Sequence, residues 1–172
     1  MTERAPTLNN ISTEIVSENT DKKVYTEIKE FLKENTGLMG PFEHLRKYFS
    51  DEIQGENRIK ESIFWKEVGE RNLVLVKDGD KIIGLIALGS SNEHKVVEIS
   101  AYLTPEYQGK NISMEKCKPT IMDLYNKKYK EKGFDLVVST LTPQAKRMIE
   151  KANIKLVPSG LPDYLKIDTS TI

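Results

Sequence analysis

The chain has 172 residues, 38% hydrophobic and 30% charged, with 26 basic residues offset by 26 acidic ones. At roughly 150 residues per domain the length suits one core that needs no disulfide or metal staple. The composition is too apolar for disorder, and zero net charge argues against a DNA-coating protein, so nucleic acid is not an expected partner. A lone cysteine, Cys117, excludes an internal disulfide. The two histidines, His44 and His94, lack metal-ligand spacing, so no metal is expected. No apolar run approaches the roughly 18 residues of a membrane span. The start, MTERAPTLNN, has no apolar core of a secretory leader. A cytoplasmic chain that makes no membrane contact is the default expectation.

Residues 1–10 carry Pro6 and paired Asn without periodicity and read as a flexible N-terminus; 11–172 reads as one domain. Ile11, Thr13 and Ile15 alternate as in a strand. Thr20 or Asp21 can cap the helix that follows, whose Val24, Ile28, Phe31 and Leu32 share one face. Gly37 and Gly40-Pro41 stop it. A second helix places Phe42, Leu45, Phe49 and Ile53 on one side. A third, near 57–70, carries Ile59, Ile63, Phe64 and Val68 and ends at Gly69. Asn72–Val76 and Lys81–Leu88 flank Lys77-Asp78-Gly79-Asp80, which predicts a β-hairpin. Lys95–Leu103 reads as the next strand. A long polar helix then reaches Lys132 and ends at Gly133. Phe134–Leu141 reads as a buried strand, Pro143 to about Ala152 as a helix, and Ile154–Val157 and Tyr164–Ile167 as final strands. This order predicts an α+β fold: a mixed, largely antiparallel central sheet flanked by helices.

The informative stretch is Leu103-Thr104-Pro105-Glu106-Tyr107-Gln108-Gly109-Lys110-Asn111-Ile112-Ser113. It reads as a strand end, a turn set by Pro105, and a glycine loop opening a helix. Backbone amides at a helix start, with the positive end of its dipole, favour an anion. From residue 109 to 133 seven lysines face three acids, which adds to that preference. On these grounds alone a phosphate-bearing ligand competes with a plain connection followed by a solvated lysine face.

From about residue 11 to 167 the order resembles the GNAT superfamily of acyl-CoA N-acyltransferases. Pro105, Glu106, Tyr107, Gln108, Gly109, Lys110 and Ile112 stand where its acyl-CoA signature has them. Thr142–Ile154 is similar to its later helix and strand entry through Ala145, Glu150 and Lys151, and Gly84 sits in its hairpin. Departures are clear. Asn111 and Ser113 replace two signature glycines, and Asn tolerates the left-handed conformation whereas Ser113 adds a side chain. Pro119 falls in the next helix or at its start, and the stretch to Gly133 is about one turn longer than usual. Ile149 replaces a tyrosine that protonates the leaving thiolate in many members, and Asn153 and Ile154 replace Gly and Phe.

The resemblance implies transfer of an acetyl group from acetyl-CoA, or another acyl-CoA, to a primary amine by direct attack in a ternary complex. The pantetheine arm would pair with the splayed strand around Ala101–Leu103, and the pyrophosphate would sit on Gln108, Gly109, Lys110, Asn111, Ile112 and Ser113. Glu98 is the implied general base, against an ordinary exposed strand glutamate. Tyr102 and Tyr107 are implied hydroxyl acids, against packing aromatics. Ser139 reads as a donor or a buried hydrogen-bonded serine, and Cys117 as a small hydrophobe. Acceptor recognition falls to 41–53 and 158–167, which hold Glu43, His44, Arg46, Tyr48, Asp51 and Tyr164. Two alternatives stand beside this. One is a catalytically degenerate binding module of the same fold, and the other is an enzyme acting on a nucleic-acid base. C-terminal edge strands allow a homodimer.

Overall fold

The computed structural model describes residues 10–17, 20, 22–35, 37–38, 40–47, 66, 68–109, 112–141 and 143–171. Of the flexible N-terminus expected over residues 1–10, residues 1–9 lie outside them, as do Phe49 and Ile53 of the second helix and Ile59, Ile63 and Phe64 of the third.

The described elements follow the expected order. They are β1 (Ile11–Ile15), α1 (Lys22–Glu34), α2 (Pro41–Lys47), β2 (Val74–Asp78), β3 (Lys81–Ser91), β4 (Val96–Leu103), α3 (Ile112–Tyr125), β5 (Asp135–Ser139), α4 (Pro143–Lys151), β6 (Leu156–Pro158) and β7 (Tyr164–Ile167). The seven strands form one sheet in the order β1-β2-β3-β4-β5-β7-β6. All neighbours are antiparallel except β4 and β5, which are parallel. Only that pair needs a crossover, and α3 supplies it.

Two cores cover the two faces. Val24, Ile28, Phe31 and Leu32 recur at helical spacing and bury α1, with Phe42 and Leu45 of α2, against Leu75, Leu85, Ala87 and Tyr102. On the other face Cys117, Ile121 and Leu124 of α3 and Ala145 and Ile149 of α4 pack on Val76, Ile86, Val97, Leu136 and Val138. With both faces covered, β2 and β3 read as nearly continuous apolar runs rather than alternating ones.

The hairpin turns at Gly79-Asp80, with a positive φ of 60° at Gly79 alone, the pattern of a type II′ turn. Gly84 is required by close approach. A Cβ there would meet the Tyr102 carbonyl oxygen at 2.5 Å and Leu103 Cδ2 at 2.6 Å.

Several boundaries differ from the sequence expectation. The third helix does not stop at Gly69; residues 68–71 are helical and Asn72 takes the left-handed conformation at φ 45°. Leu73 N–H then donates to Val68 O at 3.3 Å, closing a Schellman cap. Pro119 lies inside α3, where its ring removes one helical hydrogen bond. The extra residues before Gly133 form a π-helical turn, Asn126–Lys130, instead of more α-helix. The buried strand after it is shorter than expected, since Phe134 precedes it and Thr140 and Leu141 follow it. The last pair begins at Leu156 because Asn153, at φ 58°, ends α4 and Ile154 turns into the core.

Candidate active site: a split in the sheet

The β4–β5 ladder holds for three pairs, Val96↔Asp135, Val97↔Leu136 and Glu98↔Val137, and then stops. β4 runs on to Leu103, still paired with β3 as far as Gly84↔Leu103. The sheet therefore opens into a V beyond Glu98. The Thr104 N–H donates to Ile83 O at 2.9 Å. By the alternation of an antiparallel ladder, Tyr102 and Ser100 then bond to β3, and the N–H and C=O of Ala101 point into the split. Among the described residues no strand pairs with them there. The Leu103 carbonyl points the same way and accepts from Gln108 Nε2 at 2.8 Å.

The loop after β4 turns through Pro105–Tyr107. Tyr107 is buried, and its hydroxyl donates to Asp78 Oδ2 at 2.6 Å. That bond, more than burial, pushes the phenol up to about 12. Tyr107 thus ties the loop to the β2 hairpin end, which is a packing role. Gln108 is held at two points, its side chain donating to Leu103 O and its backbone N–H to Pro105 O at 3.3 Å. Gly109 follows at φ 77°, a conformation that favours glycine. A Cβ placed on it would lie 3.7 Å from Lys151 Nζ, so α4 sets an ammonium beside the loop that leads into α3. Lys110 and Asn111 lie outside the described residues. Ile112 and Ser113 open α3.

Glu98 sits where the strands part, half-buried, with Tyr164 Oη donating to its Oε2 at 3.4 Å. Burial pushes its carboxyl above the ordinary range, while the Tyr164 hydroxyl and the Arg71 charge pull the other way. Tyr164 is on β7, opposite Ser139 of β5, so its ring reaches across β5 to β4. Leu165 and Ile167 face the α3–α4 core, so Tyr164, like Glu98, belongs to the opposite face. Tyr102 is two residues further along that face from Ser100, but its hydroxyl donates to Asn35 Oδ1 at 3.1 Å and its ring meets Phe31 edge-on. Ser139 is buried and its Oγ accepts from the Leu141 N–H at 3.1 Å. Ile149 lies in the α3–α4 core with no hydroxyl to give. Cys117 is fully buried, and desolvation pushes its thiol up to about 12, so it packs as a neutral small hydrophobe.

The structure thus gathers Glu98, Ala101 and Leu103 at the split and leads from them to Gly109. Sequence reasoning placed Tyr164 only in the acceptor region and gave Lys151 no role. Each comes to the site through pairing across β5 or the packing of α4, which no local motif reports. Among the described residues no three His, Cys, Asp or Glu side chains are grouped to hold a metal, and no helix is long and apolar enough to cross a membrane.

No protein-family model matches the sequence, and no curated protein does. Solved structures do. The ribosomal-protein-S5-alanine acetyltransferase from Vibrio fischeri is 12% identical, covers 92% of this chain and 91% of its own, and superposes at a TM-score of 0.54. The microcin C7 self-immunity acetyltransferase MccE, solved with acetyl-CoA and AMP, gives 12%, 91%, 90% and 0.53. The spermidine/spermine N-acetyltransferase SpeG from Vibrio cholerae gives 13%, 91%, 92% and 0.50. The chain has the fold of the GNAT acetyltransferases, the mixed sheet and flanking helices that the sequence led us to expect.

Proposed function

We propose that the protein is an acyl-CoA-dependent N-acyltransferase, with acetyl-CoA as donor and a primary amine as acceptor. The observation that carries this reading is the split itself. The backbone groups of Ala101 face an unpaired gap that leads to a positive-φ glycine loop with Lys151 beside it. Pantetheine is a narrow chain with two amides and suits an unpaired strand edge. A pyrophosphate suits a loop that enters a helix N-terminus next to an ammonium. The described residues therefore fit coenzyme A, with Ala101 and Leu103 along the arm and Gly109 at the phosphates, where the resemblance also puts Gln108, Lys110, Asn111, Ile112 and Ser113.

The thioester supplies an activated acyl group. The chain does the rest. Glu98, at the parting of the strands, accepts a proton from the attacking amine, directly or through a water. Its raised carboxyl pKa makes it a better base than a surface glutamate. The split orients the two reactants, which converts a bimolecular attack into a local one. The acceptor enters on the face that bears Glu98 and Tyr164, because α3 and α4 close the other.

Thermal shift tests the reading. Acetyl-CoA in excess should raise the melting temperature by mass action. Gly109→Val, strained at φ 77° and crowding Lys151, should start from a lower melting temperature and lose the acetyl-CoA increment. An unmodified protein with no increment at millimolar CoA does not have this function. The binding-module reading draws on the hydroxyl-free Ile149 and predicts the increment without CoA release over any amine.

A further inference from the structure

The transfer leaves a thiolate that needs a proton, and Ile149 has none to give. The other tyrosine hydroxyls near the site are held by partners that lead away from the split: Tyr107 by Asp78 and Tyr102 by Asn35. Among the described residues, Tyr164 is the tyrosine whose hydroxyl reaches the split, and its partner there is Glu98.

We infer that Tyr164 is the proton donor to the departing thiolate and that Glu98 recharges it, so the proton lost by the amine becomes the proton of the thiol. This rests on the acyl transfer proposed above. The steps balance. The amine N–H proton passes to Glu98 while the N–C bond forms and the C–S electron pair leaves with sulfur. Tyr164 gives its O–H proton to that sulfur. The phenolate takes the proton from the Glu98 carboxyl, and both side chains return to their starting states. An amine that arrives as ammonium loses its extra proton to solvent beforehand.

The order of events follows from charge. The Glu98 carboxylate is the largest influence raising the Tyr164 phenol, ahead of burial and the nearby Asp163. Once Glu98 has taken the amine proton that charge is gone, and the phenol returns toward its ordinary value of about 10, within two units of a thiol. Tyr164 becomes a better acid at the moment the thiolate forms. Around the pair, Arg71 acts on Glu98 from the helix before β2, and Lys166, next on the same face of β7, is bridged to Asp135 at 3.2 Å.

The coupling is measurable without any ligand. In protein labelled with ¹³C at tyrosine Cζ, the Tyr164 resonance is the one missing from Tyr164→Phe. Glu98→Gln should move its ionisation midpoint to lower pH, and an unmoved midpoint overturns the relay. The second arm reads CoA release from acetyl-CoA with hydroxylamine as acceptor. Tyr164→Phe and Glu98→Gln should each slow release about 100-fold. The double variant should be no slower than the worse single one, as expected of two residues acting as a unit. Losses that multiply overturn the relay while leaving acyl transfer standing. A parent that binds CoA but releases none with hydroxylamine or any primary amine overturns the transfer and the relay together. Both substitutions conserve shape, and an unchanged acetyl-CoA melting increment shows that each variant still folds and binds.

Discussion

Glu98 stands at the pivot of the site and is costly there. Its carboxyl is pushed up mainly by burial. Between the ordinary value near 4.5 and that raised value the native state binds more protons than the unfolded chain. Stability therefore falls as pH rises through this window. The Glu98 contribution is fully present below the unfolded value and lost above the folded one. Glu98→Gln should thus raise the melting temperature at pH 7, and the gain should vanish near pH 4. The effect is small, because solvent screens a partly exposed carboxyl. Calorimetry at the two pH values checks it, and a variant less stable than the parent at pH 7 would mean the carboxylate is held by more favourable contacts than Tyr164 and Arg71. At this scale the place of Glu98 on its strand was legible in the sequence, because counting back along a strand from a recognisable loop is local. The Tyr164 hydroxyl on Glu98 was not, since the two lie 66 residues apart and meet only through the β5–β7 register.

Helix ends show the same boundary between local and distant. Two helices close on an asparagine in the left-handed conformation, Asn72 and Asn153, each followed by a six-to-one bond, Leu73 N–H to Val68 O and Ile154 N–H to Ile149 O, both 3.3 Å. Asn153 is exposed and does only the backbone work that glycine does in the resembling family. Asn72 is buried, and its Nδ2 donates to Leu88 O at 3.1 Å and to Tyr129 Oη at 2.6 Å while Lys128 Nζ donates to its Oδ1. Tyr129 and Lys128 belong to the π-helical turn, which explains where the extra residues before Gly133 go: they aim two side chains at the cap of another helix. Asn153→Gly should therefore be neutral or stabilising by up to about 1 kcal/mol. Asn72→Gly should cost roughly 2–3 kcal/mol, since it leaves the buried Leu88 O and the half-buried Tyr129 hydroxyl without their partner. Urea unfolding of both variants tests the contrast, and equal effects would refute it. The hairpin and the amphipathic α1 were legible because turn chemistry and periodicity are written in consecutive residues. The run past Gly69 to Arg71 was not, because a glycine stops a helix only where the chain needs a positive φ, and here Asn72 supplies it.

Across the molecule, the sheet is two halves on one hinge. β1 to β4 form a continuous antiparallel ladder, while β5, β7 and β6 join it through three parallel pairs. The α3–α4 core spans the junction on one face, with Val97, Leu136, Val138 and Ile149 in the same cluster. On the other face, Tyr164 reaching to Glu98 is the side-chain hydrogen bond described across the split. A ligand lying in the split would add hydrogen bonds to β4 and contacts to β5, and so fasten the two halves together. Hydrogen exchange should register this by position. Without ligand, the Ala101 amide, which points into the split, should exchange far faster than Leu75 or Leu85 in the middle of the antiparallel half, which are fully buried. With acetyl-CoA, protection should rise at Ala101 and along Asp135–Ser139 and Tyr164–Ile167, and change little in β2 and β3, which are already paired on both sides. Gly109→Val should show the ligand-free pattern at acetyl-CoA concentrations that protect the parent. Uniform protection of the whole sheet would mean that the ligand acts through global stability alone. Protection confined to β1 and α1 would move the binding site to the far edge of the sheet. A gain centred on Ala101 is the outcome that the split requires.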